Sequence, residues 1–145
     1  MSPLCFKNIQ GVTMKKIFYP AIFHPEEQGG YSVTFPDLLG CVTEGDTLPE
    51  AIDMATDALG LYLYSLEEDH EAVPAASDPA DVKPDGRDFV SLIEYDKVAY
   101  LKRTDSRAVK KTLTIPAWMD VLARENNINF SQVLQKAISK ELNLV

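Results

Sequence analysis

The chain has little of what enzymes most often use. In 145 residues it holds two cysteines, two histidines and one tryptophan. Cys5 and Cys41 are too few for a disulfide framework and fit no zinc spacing; with no signal-peptide pattern apparent, a reducing, cytoplasmic setting is expected. His24 falls in a turn and His70 in an acidic run, and neither belongs to a Ser-His-Asp, Cys-His or metal-binding spacing. Cys41, with no base in view, reads as a small buried side chain. No apolar run is long enough to cross a membrane. The expectation is a protein that is not an enzyme and carries no metal or cofactor.

Positive charge is also short, and its distribution is uneven. The net charge is -8. From Lys97 onward there are nine Lys or Arg against four Asp or Glu, a balance of +5, whereas residues 1–96 hold five against eighteen, a balance of -13. A basic module fused to an acidic one implies two kinds of partner: phosphates for the first, a basic protein for the second.

Residues 1–13 lack periodicity and precede a second methionine, Met14, so they read as an extension from an upstream start or an expression remnant, without order. A domain over 14–103 follows. Its first strand runs from Lys15 to about Phe23, a turn with two glycines spans 24–30, and a second strand alternates Tyr31, Val33 and Phe35 with Ser32 and Thr34. A short third strand is expected over 41–44. Thr47 and Glu50 at capping-box spacing, with Pro49 in the first turn, then start a helix whose Leu48, Ile52, Ala55, Leu59, Tyr62 and Leu66 form an apolar stripe. Gly60 weakens that helix unless close packing against the sheet requires it. Residues 71–88, with three prolines, read as a long surface loop, and 89–95 as a fourth strand. The order gives an α+β fold: one main helix on a small, mainly antiparallel sheet. A hinge is expected over 104–109.

Residues 110–142, KKTLTIPAWMDVLARENNINFSQVLQKAISKEL, form a second domain over 110–145. Leu113 and Ile115 alternate with Lys110, Thr112 and Thr114, as in a strand with one apolar face. Pro116 ends the strand and starts a helix with Trp118, Val121 and Leu122 on its apolar side. Asn129 and Gln132 make a capping pair for a second helix, in which Val133, Leu134, Ala137, Ile138 and Leu142 recur at helical spacing. One strand and two short helices cannot bury these residues alone, so a second copy is required. Two such strands paired about a two-fold axis would make a ribbon that fits a major groove. The segment closely resembles the ribbon-helix-helix DNA-binding fold, and that resemblance implies a dimeric repressor. By analogy Lys110, Thr112 and Thr114 face base edges, while Asn129, Phe130 and Ser131 present N–H groups to a DNA phosphate. In the competing reading, the strand only dimerises and its polar face is solvated.

YSVTFPDLLGCVTEGDTLPEAIDMATDAL, residues 31–59, resembles the signature of the HicB antitoxin family, and FVSLIEYDKVAYLKR followed by VKKTLTIPAW resembles its later part joined to a ribbon-helix-helix tail. Two motifs in the right order are far more specific than either alone. At Leu39 the family more often has proline, which bears on loop stiffness. The resemblance implies a partial ribonuclease-H-like N-terminal domain and a partner, HicA, a small basic toxin with a double-stranded-RNA-binding-like fold that cleaves mRNA. It also implies that the protein neutralises this toxin through its N-terminal domain and represses its own operon by binding operator DNA through the tail, as a homodimer or, if N-terminal domains pair too, a tetramer.

An acidic domain suits a protein that must displace RNA from a basic face. Glu26, Glu27, Asp37, Glu44 and Asp46, in or beside loops at the sheet ends, are candidate toxin contacts, although each also reads as an ordinary solvated charge. The run Glu67, Glu68, Asp69 and Glu71 ends the helix with the unfavourable sign for its dipole, a faint pointer to a partner. Two alternatives remain. A ribonuclease-H-like nuclease would need several convergent carboxylates, and the strands supply only Glu44 and Glu94. A ligand-responsive ribbon-helix-helix repressor would share the tail but use the N-terminal domain as a small-molecule sensor.

Overall fold

The computed structural model describes residues 7–8, 11–12 and 16–144. The chain divides into two compact units, one of residues 14–106 and one of residues 1–13 with 107–145.

The first unit is a four-stranded sheet in the order β5-β4-β3-β6 with helices on one face. β3 (Ile17–Pro25) pairs antiparallel with β4 (Tyr31–Thr34) and with β6 (Phe89–Tyr95), and β5 (Val42–Gly45) pairs antiparallel with β4. The β3–β4 turn closes with Glu26 N–H donating to the Gly30 carbonyl at 3.0 Å, and Gly29 and Gly30 take positive φ values of 96° and 84° that glycine adopts without steric cost. Alternation along the strands sends Tyr19, Ala21, Phe23, Val33, Ile93 and Tyr95 to the covered face, and all are buried.

α1 (Leu48–Glu68) covers that face. The Thr47 hydroxyl accepts the Glu50 N–H at 3.2 Å, while the Glu50 carboxylate reaches the Asp46 N–H at 3.0 Å, one residue before the position a standard capping box would use. The buried stripe is Ala51, Ala55, Leu59 and Leu63, stepping by four. Of the expected stripe, Ala55 and Leu59 are buried, Tyr62 and Leu66 are half-buried, and Leu48 and Ile52 are exposed. Ala51 joins the buried stripe because size, more than hydrophobicity, decides which residue faces a sheet at close range. A Cβ built on Gly45 of β5 would lie 2.4 Å from the Ala51 backbone nitrogen, which leaves room for nothing larger than hydrogen there.

α2 (Lys97–Thr104) was not legible in the sequence. It is capped by Asp96, whose carboxylate accepts the Ala99 N–H at 3.0 Å. Its buried residue, Tyr100, explains Gly60: a Cβ at Gly60 would sit 2.4 Å from Tyr100 Cδ2, so the close packing is against α2 and not the sheet.

In the second unit, β1 (Lys7–Asn8) pairs antiparallel with β2 (Gly11–Val12); the rest of the expected extension over 1–13 lies outside the described residues. α3 (Ala117–Glu125) begins after Pro116, and α4 (Phe130–Glu141) after Asn129. Residues 105–116 form no strand, which corrects the strand expected over 110–115 for the single chain. The physical reason is the one the sequence supplies: a strand is defined by its ladder, and one copy offers no second strand. Neither helix of this unit has a buried residue.

Replacing Gly60 by alanine is expected to lower the urea midpoint. The overpacking cost of about 1–3 kcal/mol exceeds the roughly 1 kcal/mol that alanine gains over glycine in a helix. A raised midpoint would mean that the Tyr100 ring swings aside without cost.

Candidate functional site

Two surfaces are candidates, one on each unit. The first unit carries seven Lys or Arg and nineteen Asp or Glu, a balance of -12, and residues 17–82 contain fourteen carboxylates and no Lys or Arg. That gap in positive charge makes the β3–α1 part of the surface acidic throughout, a signal present in the sequence but hidden within the whole-chain charge.

The proposed carboxylate contacts divide into engaged and unengaged groups. Asp37 is a loop tie: Ser77 donates its N–H to Asp37 Oδ2 at 2.9 Å and its hydroxyl to Oδ1. Nearby, the Tyr19 hydroxyl donates to the Pro74 carbonyl at 2.5 Å. Glu26 accepts the Ser32 hydroxyl at 2.7 Å. Glu27, in the turn, Glu44, on β5, and Asp46, before α1, are exposed. Asp37 thus fastens the 71–88 segment, and Glu44 and Asp46 are the candidates that sit next to each other, at the β5 edge.

The far end of the 71–88 segment is fastened by His24. Its Nδ1 lies 2.6 Å from Asp88 Oδ2, and its Nε2 lies 2.9 Å from Thr34 Oγ1. A carboxylate only accepts, so Nδ1–H donates to Asp88, while Nε2 shares a hydrogen bond with the Thr34 hydroxyl. This His-Asp contact bridges 64 positions and leaves no local sequence signal. It anchors a loop to the uncovered sheet face, because His24 shares that face with Ser32 and Glu44 in register.

The two strand carboxylates do not converge. Glu44 and Glu94 stand on the opposite edge strands β5 and β6, three strand spacings of about 4.8 Å apart across the sheet before any offset along it. Glu94 is also paired with Lys16 at 3.3 Å. Two metal-bridging carboxylates need to be several times closer. Among the described residues no group of three or more His, Cys, Asp or Glu could hold a metal ion.

At the C-terminal end of α1, Lys97 pairs with Glu67 at 2.6 Å, so part of the acidic run is neutralised from α2. Tyr64, Tyr95 and Tyr100 cluster beside it, with Tyr64 and Tyr95 each about 6 Å from the Tyr100 ring. The Tyr95 hydroxyl is buried without a hydrogen-bond partner. Burial, followed by the Glu67 charge, raises its pKa. Burial also pushes the Cys41 thiol up to about 11, and burial, with Asp37 second, raises Tyr19. A buried, protonated thiol is a packing group and a poor nucleophile.

On the second unit, Lys110, Thr112 and Thr114 are exposed in the extended 105–116 segment. Asn129 caps α4, its Oδ1 accepting the Gln132 N–H at 3.1 Å, and Phe130 and Ser131 are exposed in the first turn. The apolar residues are open too: Leu113 is 62% exposed and Trp118 64%. No helix among the described residues is long and apolar enough to cross a membrane.

The chain thus has two modules, an acidic helix-on-sheet unit of the α+β class with its own core and a tail of amphipathic helices without a buried residue. The family model for HicB-like antitoxins of bacterial toxin-antitoxin systems matches residues 19–138, and the chain belongs to that family. Antitoxin HicB 1 of Photorhabdus laumondii is 39% identical over 79 residues, which are 54% of this chain and 47% of that protein. The chain therefore spans about half the length of that relative. A chain of a toxin-antitoxin complex from Streptococcus pneumoniae superposes with a TM-score of 0.56 at 31% identity, covering 88% of this chain and 99% of that one. The antitoxin HicB of Burkholderia pseudomallei shares the fold, with a TM-score of 0.51 at 24% identity over 84% of this chain and 96% of that one.

The raised pKa values fix the sign of alkaline behaviour. Cys41, Tyr19 and Tyr95 stay protonated in the folded state where the unfolded chain already loses protons; the Cys41 contribution is complete below the unfolded thiol value of 9.0 and is lost as pH rises to about 11, and those of Tyr19 and Tyr95 begin to be lost only as pH passes the unfolded phenol value of 10.0. Urea midpoints are expected to fall steadily from pH 9 to pH 11, and a flat profile would show that these groups ionise without unfolding.

Proposed function

We propose that this protein is an antitoxin that binds and neutralises a small basic HicA-type, mRNA-cleaving toxin through the acidic unit of residues 14–106, and represses its own operon through the tail. The observation that carries this reading is the division of labour along the chain. One unit has a complete core and a charge of -12, while residues 107–145 carry six Lys or Arg against three Asp or Glu and form helices without a buried residue. The similarity to a chain of a toxin-antitoxin complex supports the first half.

The second half rests on the tail's physical incompleteness. Helices of 9 and 12 residues are too short to persist in water on their own sequence propensity. Their stability must come from covering the exposed parts of Trp118, Val121, Leu122, Val133 and Ile138, where taking a whole Val, Leu or Ile side chain out of water is worth roughly 1.5–3 kcal/mol. A second copy, pairing the 110–115 segments as a two-stranded ribbon and interleaving the helices, supplies that cover and makes the protein a homodimer of the ribbon-helix-helix type. Lys110, Thr112 and Thr114 then face base edges in the operator, and the first turn of α4 at Asn129, Phe130 and Ser131 holds a phosphate.

Thr112→Ala and Thr114→Ala are each expected to reduce discrimination between operator and random DNA by about 1–3 kcal/mol in competition binding. Equal losses on both DNAs would mean that the threonines do not read sequence. Removal of residues 107–145 should abolish DNA binding and leave co-elution with the small basic protein encoded beside this gene intact. Loss of co-elution by a folded fragment would assign part of neutralisation to the tail.

A further inference from the structure

The sheet of the first unit has two edges that are not alike. β6 has the 3-10 turn Pro79–Asp81 packed against it, whereas β5 contacts β4 and α1 and has no other strand beside it among the described residues. β5 therefore offers a row of backbone N–H and C=O groups to an incoming strand. Proteins commonly blunt such an edge with lysine, proline or a bulge. β5 reads Val-Thr-Glu-Gly and has no lysine or proline.

The turn that leads into β5, and β5 itself, expose apolar side chains. Leu39 is 93% exposed, and Val42 is 61% exposed. Leu39 is not a loose loop residue: its neighbour Leu38 and nearby Cys41 are buried, Leu38 N–H donates to Phe35 at 3.1 Å, Cys41 N–H to Leu38 at 3.1 Å, and Phe35 N–H to Cys41 at 3.3 Å. The Leu39 carbonyl itself accepts the Tyr62 hydroxyl of α1 at 3.1 Å. A hydrogen-bonded turn that presents a large aliphatic side chain loses little backbone freedom on binding, which lowers the ordering cost at an interface anchor.

Charge selects the occupant. Val42 and Glu44 share one face of β5, with Asp46 following. A second copy laid along the same edge would set acidic side chains against acidic side chains, with no Lys or Arg anywhere in residues 17–82 to relieve them. A basic segment meets the opposite situation.

We propose that the free edge of β5 is the docking surface for the basic toxin: an extended Lys- or Arg-bearing segment of that protein adds to the sheet as a fifth strand, with Leu39 and Val42 as apolar anchors and Glu44 and Asp46 as counter-charges. The proposal rests on the toxin-binding reading above and names its surface. The test uses the full chain, the small basic protein encoded beside this gene, titration calorimetry and hydrogen exchange. In the complex, amides of residues 42–45 gain protection, Leu39→Ser weakens binding by about tenfold, and Glu44→Lys weakens it further at low salt than at high salt. Because both side chains are exposed, the thermal midpoints of the free variants match that of the parent. Parent-like affinity in both variants, with unprotected β5 amides, overturns the surface and leaves toxin binding standing. Failure of the parent chain to bind overturns both.

Discussion

The close approach of α1 to the sheet is the contact on which the rest of the first unit depends. It is made by small residues: Ala51 and Ala55 on the helix, Gly45 on β5 where a Cβ would strike the Ala51 backbone, and Gly60 against the ring of Tyr100. Close approach lets a single helix cover the sheet face and seal Tyr19, Phe23, Val33 and Ile93 into one core with Leu59 and Leu63. It also fixes where α2 lies, since Tyr100 fills the space that Gly60 leaves. One face of the sheet is thereby spent on stability, and the other face and the edges remain for binding or for the chain's own loops.

Long-range polar ties complete the unit. Residues 71–88 carry little apolar periodicity, yet Tyr19 and Asp37 fasten the early part and His24 the far end. These bonds let a proline-rich connection of this length stay ordered without secondary structure of its own, beyond one short 3-10 turn. They also engage both Asp37 carboxylate oxygens within the chain, which the sequence position of Asp37 at a strand end does not reveal.

Local signals made much of the architecture legible. Alternation located β6 to the residue and β4 and β5 to within one, and Thr47, Asn129 and Pro116 marked helix starts, because caps and alternation are short-range physics. The misses have a common cause. Hydrophobicity finds Ala55 and Leu59 of the α1 stripe but not Ala51, which steric closeness to the sheet selects; α2 is one short apolar run, Val98 to Leu101, without a period; and the partners of Asp37, His24 and Gly60 are 40 to 64 positions away. The 110–115 segment differs in kind. Its strand pattern is plain in Leu113 and Ile115, but a ladder is a property of two strands, and a single chain shows only the pattern.

Charge gives the two units opposite tasks. A surface without a cation from residue 17 to 82 resists close contact with a copy of itself and with nucleic acid, and both repulsions weaken with salt. An antitoxin of the kind proposed has to keep RNA away from a basic toxin, and an acidic sheet-and-helix unit does this by occupying the same electrostatic niche as the phosphates it displaces. The tail meets the reverse demand. It carries the positive charge and leaves its apolar residues uncovered, so in the proposed reading a like copy covers them through burial and phosphate meets the charge. The same whole-chain value of -8 would have argued against DNA binding altogether. Dividing the sequence into an acidic and a basic unit lets one chain carry both proposed electrostatic roles, because screening in physiological salt confines the influence of an exposed charge to about a Debye length.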